Sequence, residues 1–293
     1  MSIKKGIYAA SMSVIQKNLL VDTEATIKHS ENLIQQGCHG CVIGGSTGMS
    51  QLISSNEKKK LIDKMGVSKF KENFIFGTGA NSINENVELM KHCIENKINK
   101  FLIMPSAYYK YTDEGAYAFY ASIIERVPES EIILYNFSKL SGYAFSIKII
   151  EKLVKDFKKQ IVGVKDSDYQ IFDKLKIPNF LIFPGSETKL LKGLELGNSG
   201  IISAICNVTA PLARKVYDDF NDKKKQTFNE RLCKIRKVFD KNNLISGLHS
   251  FMSVENEKYK IVLPPLSLLS KEQEKQMIDE LRALDFYPER KAA

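Results

Sequence analysis

Short apolar runs recur along the first two thirds of the chain, at Gly6–Ala10, Cys41–Gly45, Phe74–Gly77, Phe101–Met104, Ile132–Tyr135, Ile161–Val164, Phe180–Phe183 and Gly200–Ser203. Between them lie segments in which apolar residues return every three or four positions, among them Ala25–Gln36, Asn86–Asn96 and Ala116–Arg126. The first kind of run suits a strand buried on both faces, the second an amphipathic helix. Eight such units without a break predict a parallel sheet closed into a (β/α)8 TIM barrel. An open, doubly wound sheet is the rival. It is disfavoured because no Gly-x-Gly-x-x-Gly follows the first strand and no Pro/Gly/Ser-rich linker halves the chain.

After Asn207 the strand pattern stops. Helices are expected over Pro211–Phe220 and Lys225–Asn242, and from near Ser270, where Ser270 and Gln273 have capping-box spacing and Ile278, Leu281 and Leu284 form an apolar stripe. The expected organisation is a barrel over residues 1–208 and a helical C-terminal extension of the same domain over 209–293.

With 293 residues and 43% hydrophobic content the chain can bury a sizeable core. No run approaches the roughly 20 apolar residues of a membrane span, and the first residues lack the apolar stretch of a signal peptide. A cytoplasmic protein without a membrane partner is expected. The net charge of +9 is spread over scattered lysines, and the runs Lys58–Lys60 and Lys223–Lys225 sit in helix-like segments, so no nucleic-acid partner is expected. Five cysteines make no disulfide framework. Cys38-His39-Gly40-Cys41 resembles half of a zinc site, but no second pair follows it, which favours buried free thiols and no metal.

In a barrel of this kind the active site lies at the carboxyl ends of the strands, and four strand ends carry unusual residues. Gly44-Gly45-Ser46-Thr47-Gly48 offers close backbone approach and two hydroxyls for a carboxylate, or forms an ordinary turn. Tyr135-Asn136 places a phenol where it can relay protons, or where it merely packs. Lys165 ends a buried strand, which is costly for an amine unless it has a task. A desolvated, neutral amine attacks a ketone, and the protonated imine then accepts electrons from a neighbouring C–C bond. Snorkelling into water is the alternative, and the adjacent Gly163 is expected to open space beside the strand. Gly185-Ser186-Glu187 presents a carboxylate that either binds substrate hydroxyls or caps a helix.

Set side by side, these strand ends resemble the dihydrodipicolinate synthase / N-acetylneuraminate lyase family over essentially the whole chain. Gly45-Ser46-Thr47-Gly48, Gly77-Thr78-Gly79-Ala80-Asn81, Tyr108-Tyr109, Tyr135-Asn136 and Gly163-Val164-Lys165-Asp166 fall in family order and spacing. The resemblance implies a homotetrameric class I lyase that forms an imine between Lys165 and pyruvate or a related 2-keto acid, without metal or organic cofactor, and exchanges an aldehyde. It implies that Tyr135 relays protons and that Ser46 and Thr47, with Gly48, hold the keto-acid carboxylate and support the relay. By the same resemblance Tyr108 or Tyr109 reaches a neighbouring subunit's site, and Ile202 and Ser203 line the pyruvate pocket.

Departures from the family pattern bear on the aldehyde. Leu140 stands where dihydrodipicolinate synthases carry an arginine for aspartate semialdehyde, with Lys139 beside it as an imperfect substitute. Ser138 replaces a proline and Met49 a glutamate. Leu140-Ser141-Gly142 together with Gly44-Gly45-Ser46-Thr47-Gly48 resembles the N-acetylneuraminate lyase branch, and Ser186-Glu187, after Gly185, suits a hydroxyl-rich substrate. The sequence therefore favours cleavage of a sialic-acid-like or 2-keto-3-deoxy sugar acid. Condensation of pyruvate with aspartate semialdehyde is the alternative reaction, and keto-acid binding without catalysis the alternative of another class.

Overall fold

The structure, a computed structural model, describes residues 2–287. Eight parallel strands form the barrel: β1 (Gly6–Ala10), β2 (Gly40–Ile43), β3 (Phe74–Gly77), β4 (Lys100–Ile103), β5 (Glu131–Asn136), β6 (Ile161–Asp166), β7 (Leu181–Pro184) and β8 (Gly200–Ser203). Their hydrogen-bonded order is β7-β6-β5-β4-β3-β2-β1-β8. The remaining seam is closed by Ser199, whose N–H donates to the Ile182 carbonyl at 2.8 Å and whose Oγ accepts from the Ile182 N–H at 3.2 Å. The expected TIM barrel is the observed fold.

Helices α1 (Thr23–Gln35), α2 (Ser55–Val67), α3 (Ile83–Glu95), α4 (Asp113–Ile124), the short α5 (Ser138–Ser141), α6 (Ile147–Asp156), α7 (Leu190–Glu195) and α8 (Cys206–Asn221) run between and after the strands. Strand residues alternate between two apolar layers. Ile7, Phe74, Phe76, Ile132 and Leu134 pack outward under the helices, while Tyr8, Val42, Ile75, Ile133, Tyr135 and Ile202 fill the barrel interior.

Strand β6 breaks this alternation. Ile132 pairs with Ile161, but Ile133 pairs with Gly163, so Val162 is an extra residue in a β-bulge. Ile161 and Val164 both belong to the outer layer, which strict alternation forbids; the bulge shifts the phase by one and turns Lys165 inward. Gly163 does not open space, contrary to the sequence reading. A Cβ there would lie 2.6 Å from the Leu181 carbonyl oxygen, so the glycine lets β6 and β7 close together.

Beyond α8 come α9 (Asn229–Phe239), α10 (Leu244–Glu255) and α11 (Lys271–Arg282). Ser270 and Gln273 do form a reciprocal capping box. Helix α8 begins before Pro211 rather than at it, because Asn207 and Thr209 N–H groups already donate to the Ala204 and Ile205 carbonyls at 3.1 and 2.9 Å. It therefore runs through position 208, where the sequence reading ends the barrel. The single helix expected over 225–242 is the shorter α9. The reading missed α10, whose consecutive residues 246–251 are all buried and so leave no amphipathic period. Residues 288–293 of the expected extension lie outside the described residues. Among the described residues no helix is long and apolar enough to cross a membrane.

A buried polar network fastens α1, α8 and the extension together. Asn207 Oδ1 accepts from Met12 N–H at 3.0 Å and lies 2.8 Å from His29 Nε2; His29 Nδ1 meets the Tyr259 hydroxyl at 2.8 Å, and His249 Nδ1 lies 2.9 Å from the Tyr259 carbonyl. Burial pushes the His29 and His249 pKa values down from 6.5 to about 4. Between these values the unfolded chain binds protons that the folded protein excludes. Stability is therefore full above about pH 6.5 and falls as the pH drops toward about 4. Unfolding free energies from denaturant titrations followed by circular dichroism should decline across this window by on the order of a few kcal/mol; a flat midpoint would contradict the network's role. Gly163→Val should cost about 1–3 kcal/mol in the same assay, and an unchanged midpoint would refute the close approach of β6 and β7.

Candidate active site

At the carboxyl ends of the strands a cavity of about 270 Å³ is lined by Ser46, Thr47, Tyr135, Lys165, Ser167, Tyr169 and Gly185 from the barrel. Phe137 and Leu140 complete the barrel side, and Arg236, Asn243, Leu244 and Ile245 reach in from the extension. A cavity of about 340 Å³ at the opposite end, lined by His39, Glu72 and Lys100 among others, contains none of these groups. Barrel chemistry belongs at the carboxyl face.

Tyr135 and Lys165 are register partners on β5 and β6, each only 5% exposed. Lys165 Nζ lies 4.1 Å from the centre of the Tyr135 ring. The residues that follow lock this pair. Asn136 Nδ2 donates to Asp166 Oδ1 at 2.9 Å, and the Asp166 carboxylate also accepts from the N–H groups of Asp168, Tyr169, Ile171 and Phe172 at 2.9–3.2 Å. A fully buried carboxylate with five donors holds both strand ends and the loop after β6 in one arrangement. Lys165 Nζ and Tyr135 Oη themselves have no hydrogen-bond partner among the described residues.

The loop after β2 supplies two hydroxyls. Gly44 takes φ +75°, and a Cβ on it would lie 2.6 Å from the Gly77 carbonyl oxygen, so only glycine lets β2 and β3 meet here. Ser46–Gly48 then forms one turn of 3-10 helix. Its Gly48 carbonyl is fixed by the Ser13 hydroxyl at 2.7 Å. Ser46 Oγ is buried without any partner among the described residues. Orphaned buried hydroxyls are rare and costly unless something else supplies the bond.

Of the residues singled out from sequence, the cavity brings together Ser46, Thr47, Tyr135, Lys165 and Gly185. Gly48 lies beneath it as part of the turn. Ile202 packs in the barrel interior. Tyr108 and Tyr109 do not line it and are 89% and 71% exposed, with their rings edge to face. Lys139 is exposed outside the cavity, whereas Leu140 is in its wall. Ser138 has a reason to replace proline: its N–H donates to Asp168 Oδ2 at 2.8 Å, a bond proline cannot make. Cys38 and Cys41 are buried free thiols, with burial pushing Cys38 up to about 12. Among the described residues no group of three or more His, Cys, Asp or Glu is arranged to hold a metal.

Glu187 and Ser203 are fully buried behind the cavity wall rather than on it. Ser203 Oγ donates to Glu187 Oε2 at 2.8 Å, and Arg236 Nη1 meets the same oxygen at 2.9 Å. Arg236 was not foreseen from sequence, yet a signal existed. On α9 it sits within the buried stripe Leu232, Ile235, Val238 and Phe239, where a cation requires a partner.

The model of the dihydrodipicolinate synthetase family matches residues 4–284. A 4-hydroxy-tetrahydrodipicolinate synthase of Pelagibacter ubique is 34% identical over 249 residues, 82% of this chain and 80% of its own length. An uncharacterized DapA-like lyase of Thermococcus kodakarensis is 27% identical, covering 96% of this chain and 98% of its own. Dihydrodipicolinate synthase of Agrobacterium tumefaciens superimposes with a TM-score of 0.88 at 21% identity, over 96% of this chain and 99% of that one. A prophage protein of the dihydrodipicolinic acid synthase family from E. coli, solved with pyruvate, does so at 0.88 and 20%, over 97% and 100%. The motifs at the strand ends, the barrel and the near full-length match agree: this chain belongs to the dihydrodipicolinate synthetase family.

Proposed function

We propose that this enzyme is a class I lyase that joins pyruvate to a short aldehyde through an imine on Lys165, in the manner of 4-hydroxy-tetrahydrodipicolinate synthase. The observation that carries the reading is the set of polar atoms around one cavity that have no hydrogen-bond partner among the described residues: Lys165 Nζ, Tyr135 Oη and the buried Ser46 Oγ. In this reading Ser46 and Thr47 hold the pyruvate carboxylate. The Lys165 amine adds to the ketone carbon, and loss of water leaves a protonated imine. Tyr135, having given its phenol proton to that departing water, takes one from the adjacent methyl group to give an enamine; the enamine carbon attacks the aldehyde carbon while Tyr135 passes the proton on to the aldehyde oxygen. Water then releases the product and restores the amine.

The sugar-acid reading favoured by the sequence has less support. Relatives carry the synthase or DapA-like lyase names, and Glu187, expected to meet substrate hydroxyls, is engaged by Arg236 behind the wall. Leu140 in the cavity wall is the one feature that still favours it.

Borohydride reduction in the presence of pyruvate, followed by peptide mass mapping, should place an adduct on Lys165, and Lys165→Ala should give neither adduct nor turnover. An unmodified wild-type protein would overturn the reading, and adduct without turnover of any aldehyde would favour a binding protein. Tyr135→Phe should lower turnover by about 10²-fold or more while the pyruvate adduct still forms; equal rates would remove Tyr135 from the relay.

A further inference from the structure

With pyruvate bound on Lys165 and its carboxylate at Ser46 and Thr47, the aldehyde must occupy the side of the cavity formed by the extension. Among the described residues Arg236 is the only other charged one in the cavity wall, and no carboxylate lines it. Four hydrogen bonds fix the guanidinium, and those to Asp240 and Glu187 are also ion pairs. Nε donates to Asp240 Oδ1 at 2.9 Å, and Nη1 faces Glu187 Oε2 at 2.9 Å, Ser203 Oγ at 3.2 Å and the Gly185 carbonyl at 3.3 Å. Nη2 has no hydrogen-bond partner among the described residues, although Arg236 is only 5% exposed. Asn243 at the mouth is similarly poised. Its Oδ1 accepts from the Ile245 and Ser246 N–H groups at 3.1 Å as the N-cap of α10, which leaves Nδ2 as a donor.

An arrangement of unpaired N–H donors around a fixed cation suits a carboxylate, which only accepts. A polyhydroxylated chain would also need acceptors for its own protons. We propose that Arg236, assisted by Asn243, binds a carboxylate on the aldehyde substrate, and that α9 thereby supplies from the extension the cation absent at Leu140. This inference rests on the pyruvate–imine reading above. Glu187 is then a positioning residue: buried and charge-paired, it holds the guanidinium plane so that Nη2 remains for the substrate.

The test uses 2-oxoglutarate, 2-oxoadipate and 2-oxopimelate, each against its distal methyl ester, with half-maximal borohydride trapping on Lys165 as the readout. In the wild-type protein the best of the acids should half-saturate at a concentration at least about tenfold below its ester. Arg236→Lys, which keeps the charge beside Glu187 but loses the second nitrogen, should bring the acid-to-ester ratio close to one. Asn243→Asp preserves the helix cap and should invert the preference by placing a like charge at the mouth. The ratio cancels any general loss of folded protein. Equal trapping of acid and ester by the wild type, or a ratio untouched in both variants, overturns the inference while pyruvate trapping leaves the imine reading standing. Absence of pyruvate trapping overturns both.

Discussion

The site depends on one constraint, the register between the carboxyl ends of β5 and β6. Tyr135 and Lys165 face each other only because Val162 is bulged out, since without that extra residue period-two alternation would carry the lysine into the outer layer. The bulge alone would leave the ends free to fray. Asp166 prevents this by taking a bond from Asn136 on the neighbouring strand and four from the loop that follows. Chemistry and fold thus share adjacent residues: Tyr135 and Lys165 are presented to the cavity, Asn136 and Asp166 are turned into the frame. The close packing of β7 against Gly163 holds the bulged strand from its other side.

The C-terminal extension is more than a cover. A small apolar core, in which Ile235, Phe239, Leu248 and Phe251 meet Met12, Val14 and Ile205 of the barrel, seats α9 and α10 over the barrel mouth, and the Asn207–His29–Tyr259 chain fastens the extension to the first and last barrel helices. Through this seat the buried Arg236–Glu187 pair joins the extension to β7 and β8. Burying two charges costs solvation that their attraction only partly offsets, and losing either partner would strand the other. Such a pair is a weak way to gain stability and a good way to fix the orientation of a guanidinium beside a cavity.

Much of this was legible in the chain. Near-continuous apolar strands separated by amphipathic helices specified the barrel, because a strand covered on both faces has no polar period. The strand-end residues Ser46, Thr47, Tyr135 and Lys165 could be located because barrel topology assigns function to one end of every strand. Less legible were features that depend on burial from all sides. Helix α10 showed no amphipathic stripe because the extension encloses it. Glu187 and Ser203 looked like substrate ligands because a strand-end position does not reveal which way a side chain turns, and theirs turn to Arg236 from a helix more than thirty residues later.

Local pattern along the chain is thus enough to specify the barrel, the order of its elements, the capping box at Ser270 and four of the polar residues that the cavity gathers, Ser46, Thr47, Tyr135 and Lys165. The phase of β6, the role of Gly163 as a point of strand contact and the presence of Arg236 at the mouth emerge only in the folded barrel. The division has a physical cause. Periodicity and capping are set by neighbours within a few positions along the chain. Phase across a bulge and the partner of a buried charge are set by residues brought together only when β5 meets β6 and α9 meets β7 and β8.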